Sequence, residues 1–187
     1  MKRPTAVALA LVLGMASGAV AVWAYQRGPA LGSASLSPEW TESQWPLAAD
    51  QWGSGKFFHC GKERCGSETK LYVRAKIGFC KCDVGVDSDE ELERIGDLAL
   101  FSAAPAALGA GHPIKVAWMK GRSRAFTLGG SFFTKASALS VGFNDRCDAI
   151  TATVVTDGSQ AAALEPAVLD FLNSERVMGW AKLTLGL

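Results

Sequence analysis

The clearest pattern of apolar and polar positions lies in the middle of the chain. Leu71, Val73, Ala75, Ile77 and Phe79 alternate with Tyr72, Arg74, Lys76 and Gly78. A strict period of two predicts a strand with one buried and one wet face. Upstream, Phe57 and Phe58 predict a short strand ending at Cys60, followed by a polar, turn-rich connection from Gly61 to Thr69. Downstream, Ile114, Val116 and Trp118 alternate again, and the pattern returns over Arg122 to Leu128. This predicts a hairpin turning at Lys120-Gly121. Ala138 to Phe143 and Ala149 to Val155 predict a second hairpin, turning at Asn144-Asp145.

Helical signals are fewer. Ser88 stands three residues before Glu91, with Asp89 and Glu90 between them. That is a capping box with acids where a helix dipole favours negative charge. Leu92 and Ile95 give this helix its apolar side and Gly96 its end. Asp97 to Phe101 predicts another strand, and the Ala, Pro and Gly cluster up to Pro113 a loop. Glu165-Pro166 opens a C-terminal helix, since proline is tolerated in a first turn. Its apolar stripe of Leu169, Phe171 and Leu172, then Val177, Trp180 and Leu183 beyond Ser174, fits two consecutive helices. The sum predicts an α+β fold: roughly six mostly antiparallel strands, an acidic helix, and a C-terminal helix packed on the sheet.

The N-terminus is different in kind. Lys2 and Arg3 precede an uncharged run from Thr5 to Tyr25. As a helix this run spans roughly 30 Å, enough to cross a bilayer core. The two cations predict a cytoplasmic N-terminus with the rest of the chain exported. Trp23 and Tyr25 fit an interfacial edge, and Ala10, Gly14 and Gly18 form a small-residue helix face. An uncleaved anchor and a signal peptide cut after Ala19-Val20-Ala21 both fit. Residues 26–55 then read as a Gly/Ser/Pro tether carrying Trp40, Trp45 and Trp52, which either fill grooves on the domain or meet a membrane or partner. Residues 56–187 form the extracytoplasmic domain.

Charge narrows the choice of function. Beyond residue 25 there are 17 basic residues against 18 acidic ones, without the basic excess that nucleic-acid binding calls for. The charges are nevertheless segregated. Asp83 to Asp97 holds seven acids and one base, whereas Leu98 to Asn144 has no acid and contains Lys115, Lys120, Arg122 and Arg124. The two stretches either face each other and water or form a polarised docking surface for an envelope protein.

Export also decides how to read the cysteines. In an oxidising compartment Cys60, Cys65, Cys80, Cys82 and Cys147 are disulfide candidates first. Cys80 and Cys82 share one face of an extended segment at about 7 Å, too far to bond without strain. The spacing favours Cys60–Cys65, with Cys147 bonded to either Cys80 or Cys82. The alternative is a soft-metal (Cu or Zn) or thiol-redox site using His59, Cys80 and Cys82. No catalytic residue stands out: His112 is a loop histidine, and no serine elbow or phosphate-binding glycine pattern occurs.

The stretch CGSETKLYVRAKIGFCKCDVGVDSDEELERIGDL, with a later Asn-Asp-Arg-Cys, resembles small exported or membrane-anchored bacterial proteins of unassigned function. The resemblance brings no site residues. The expectation is a non-enzymatic, membrane-tethered periplasmic protein that binds or assembles with envelope partners.

Overall fold

The computed structural model describes residues 38–78, 82–129, 136–158 and 160–187. The expected membrane run at residues 5–25 lies outside them. No helix among the described residues is long and apolar enough to cross a membrane.

Among the described residues eight strands form one antiparallel sheet: β1 (Thr41–Ser43), β2 (Lys56–Cys60), β3 (Thr69–Lys76), β4 (Ala104–Ala107), β5 (His112–Val116), β6 (Met119–Gly129), β7 (Ala136–Asp145) and β8 (Asp148–Asp157). The order is β1-β2-β3-β8-β7-β6, and β4 and β5 share the far edge of β6. Among the described residues four α-helices accompany the sheet: α1 (Lys62–Cys65), α2 (Asp89–Ile95), α3 (Glu165–Leu172) and α4 (Glu175–Leu185). The class is the α+β arrangement with a mostly antiparallel sheet.

Register fixes which side chains share a face. Leu71, Val154 and Leu139 lie in one row, and Val73, Ala152 and Val141 in the next. This apolar face is covered by Val168, Leu172, Val177 and Ala181 of α3 and α4. Trp40 joins the same core, with its ring 5.5 Å from that of Phe171. The packed domain therefore begins upstream of Lys56, and the described part of the expected tether belongs to it.

The opposite face is not wet. Tyr72, Arg74 and Lys76 are all buried there, beside Ser140, Thr151 and Thr153. Helix α2 lies over this face so closely that a Cβ on Gly142 would meet Leu92 and Ile95 at 3.0 Å. Trp45, Leu47 and Phe101 cover its other half, where Phe57 of β2 stands beside Tyr72. Alternation of apolar and polar residues on β3 thus separates two buried faces, one greasy and one charged. The strand ends at Lys76, and Ile77 turns outward, 53 % exposed.

Helix α2 follows its sequence signals: Ser88 Oγ accepts from the Glu91 amide at 3.1 Å, and Gly96 ends the helix. Four other expectations need correction. Leu98–Leu100 is a 3-10 turn rather than a strand. The expected loop before Pro113 contains β4 and the start of β5, because the long β6 offers its edge amides to them. The first hairpin turns at Ala117-Trp118, which lets Val116 and Met119 both enter the core. Gly121 lies within β6 because a Cβ there would strike the Gly142 carbonyl at 2.1 Å. The second hairpin likewise turns later, at Arg146-Cys147.

Both sheet edges are blunted. β1 has only three residues. On the other edge Pro105 pairs with Leu128 and Pro113 with Arg122. Proline has no N–H for the ladder, so both must turn their nitrogens outward, where an incoming strand would need a donor.

Candidate functional site

The cysteines are joined in two pairs, Cys60–Cys65 and Cys82–Cys147. The first closes around the single turn of α1 over a separation of five residues. The second ties the approach to α2 to the β7–β8 turn across a separation of 65. Cys80 lies outside the described residues. His59, on β2, faces Ser43 Oγ at 3.1 Å across the β1 edge. The sulfurs of Cys60, Cys65 and Cys82 are thus each committed to another sulfur. Among the described residues no three His, Cys, Asp or Glu side chains gather as a metal site would require.

The acidic and basic stretches meet. Asp89, in the first turn of α2, accepts the Gly111 amide at 3.0 Å and pairs with Arg122. The Gly111 N–H first, and then the Arg122 guanidinium, hold the Asp89 carboxyl below its usual range. Arg124 pairs with Glu93 of the same helix. The two arginines also donate to the backbone bulge between β4 and β5: Arg122 to the Gly111 carbonyl at 2.9 Å, and Arg124 to that of Gly109 at 2.8 Å. Gly111 is required, since a Cβ there would meet the Asp89 carboxylate at 2.4 Å. Arg122 and Arg124 therefore clamp the helix to the sheet. Lys115 and Lys120 remain exposed, directly opposite each other on β5 and β6.

Residues outside the expected site form the most constrained cluster. Arg74 donates through Nε to Asp97 at 3.3 Å and through Nη1 to Asp50 at 2.8 Å. Lys76 reaches the same Asp97 at 2.8 Å, and Thr151 Oγ1 donates to it at 3.0 Å. Trp45 and Trp52 close over the cations, with ring centres 5.6 Å from the Arg74 guanidinium and 5.7 Å from the Lys76 ammonium. Burial pulls the Arg74 pKa down, but Asp97 and Asp50 outweigh it and raise it overall. For Asp50 the Trp52 amide is the largest influence, and with Arg74 it lowers the carboxyl despite burial. Burial alone raises the Tyr72 phenol. A signal for this second interior was present on β8, whose Thr151, Thr153 and Val155 share the face without one long charged side chain.

Two shallow grooves flank the start of α2. One, of about 200 Å³, runs past Ser88, Glu90, Glu91 and Arg94. The other, of about 190 Å³, lies between Val84, Ile114 and Lys120. Neither sets a nucleophile beside a base. His112 pairs with Glu165 at 2.7 Å on the open surface. No protein-family model matches the chain, and no curated protein matches it.

Proposed function

We propose that this is a non-enzymatic, membrane-tethered extracytoplasmic protein that works by binding or assembly with other components of a bacterial envelope. The observation supporting the reading most directly is the Cys82–Cys147 bond, which links segments 65 residues apart. A bridge of that kind persists in an oxidising compartment and is reduced in a cytosol. The N-terminal run from Thr5 to Tyr25, behind Lys2 and Arg3, supplies the tether in this reading. The buried ionic face and the Asp89–Arg122 clamp serve to keep one rigid surface presented outward.

The test is protease treatment of intact and permeabilised spheroplasts carrying the full chain, followed by non-reducing electrophoresis and cross-linking. The reading expects digestion from the outside, alkali-resistant membrane association, two intact disulfides, and cross-links to another envelope component. Retention of stoichiometric copper or zinc with Cys80 and Cys82 reduced would replace it with a soft-metal protein. Protection of the domain in intact spheroplasts would overturn the location.

A further inference from the structure

We infer that the β5–β6 turn and the outer side of α4 form a contact surface for an anionic phospholipid bilayer. The inference deepens the tethered reading above and rests on it for the position of the membrane.

Three features meet at this surface. At the tip of the β5–β6 turn Trp118 is 45 % exposed, an unusual place for an indole unless its apolar body is covered. Lys182 of α4 sets its ammonium 5.4 Å from the Trp118 ring centre. The next residue, Leu183, is 85 % exposed, and Leu187 is exposed beyond it. Tryptophan, lysine and leucine together are what the boundary between headgroups and acyl chains takes up.

Charge points the same way. Lys115 and Lys120 flank the turn on the face of the sheet opposite α4 and stand opposite each other across β5 and β6. Like charges in that arrangement cost stability, and an anionic surface relieves the cost. Asp89 and Glu93 of α2 are occupied with Arg122 and Arg124, and Asp87, just before that helix, lines the same groove as Lys120.

Position in the fold supplies the third argument. The Ala117 amide donates to Asn173 Oδ1 at 2.6 Å, placing the turn at the corner between α3 and α4. Trp40, just after the first described residue, packs on Phe171 and receives Arg176 at its carbonyl, at the same corner. The segment before β1 and the β5–β6 turn thus both touch residues 171–176. Leu183 lies seven residues after Arg176, two turns along the same side of α4 and away from the buried Val177, Met178 and Ala181. Only residues 26–37 separate the apolar run from Pro38, a reach of at most about 40 Å even when extended. A tether of that length is compatible with this corner reaching the bilayer surface.

The test reconstitutes the full chain in vesicles of phosphatidylcholine, alone or mixed in equal parts with phosphatidylglycerol, carrying a headgroup nitroxide quencher. The Trp118 signal is the fluorescence of the wild type minus that of Trp118→Phe. The surface predicts quenching of that signal on the anionic vesicles, and Lys115→Gln or Lys120→Gln each weakening the contact about fivefold. Leu183→Ser is expected to reduce the quenching in both lipids. Alkaline extraction of the same vesicles reports separately on the tether. A chain that resists extraction while Trp118 stays unquenched overturns the contact and leaves the tether standing. A chain that is extracted, yet shows lipid-dependent quenching, keeps the contact and overturns the tether. Shielding of Trp118 that follows protein concentration rather than lipid charge assigns the surface to a second copy and overturns the inference.

Discussion

Arg74 and Asp97 form an ion pair inside the sheet–helix interface, with side chains only 2 % and 7 % exposed. Asp97 also holds Lys76 and Thr151, whereas Arg74 has a second carboxylate in the more open Asp50. The two partners are therefore unequal. Asp97→Leu strands two buried cations and should cost about 3–5 kcal/mol. Arg74→Met leaves Asp97 satisfied and should cost only about 1–2 kcal/mol. Urea unfolding of the two variants checks the order, and the reverse order would make Asp50 the dominant partner of Arg74.

The Asp89 clamp predicts a dependence on pH. Its carboxyl is depressed in the folded protein by the Gly111 amide first and Arg122 second. A depressed acid stabilises the fold fully above its unfolded pKa of about 3.9 and loses that contribution as the pH falls through the folded value. Asp89→Asn should cost about 2 kcal/mol near neutral pH, the scale of a charge-assisted hydrogen bond. It should also flatten the fall in stability below about pH 4. An unchanged acid limb in denaturant titrations of Asp89→Asn would assign that fall to other carboxylates.

Legibility of the sequence followed the range of the interactions. The α2 boundaries were readable because Ser88, Glu91 and Gly96 act within a few residues of one another. The two faces of β3 were separable by alternation, but only their packing partners decide whether a polar face is wet. Those partners, Trp45 and Asp97, lie 29 residues before and 23 after Arg74 and carry no local mark. Turn positions slipped for a related reason. Gly121 and Asn144 look like turn residues, yet one permits close approach of β7 and the other receives the Val86 amide on its side chain at 3.0 Å. On the candidate surface, chemistry was legible for Lys115 and Lys120, while the use of Arg122 and Arg124 depended on how α2 crosses β6.

Disulfide contributions should differ with the loops they close. The chain-entropy model gives about 4 kcal/mol for Cys82–Cys147 and about 2 kcal/mol for Cys60–Cys65, from separations of 65 and five residues. Thermal unfolding of Cys82→Ala/Cys147→Ala and Cys60→Ala/Cys65→Ala measures the difference. Equal losses would mean that the unfolded chain is already compact around the longer loop.

Ala117 adopts a φ of +52° at the first position of its hairpin turn, a left-handed conformation that an L side chain resists. The turn holds because Val116 and Met119 are anchored in the core and Asn173 accepts the Ala117 amide. Glycine keeps that amide and removes the Cβ conflict, at the cost of extra freedom in the unfolded chain. The conflict is worth about 1–2 kcal/mol and the freedom about 0.5–1 kcal/mol. Ala117→Gly should therefore stabilise the fold by about 0.5–1 kcal/mol and raise Tm by a few degrees. Ala117→Val should destabilise it, since a β-branched residue tolerates positive φ least. If calorimetry instead places glycine below alanine, the extra freedom of the unfolded glycine chain outweighs the relief of the Cβ conflict.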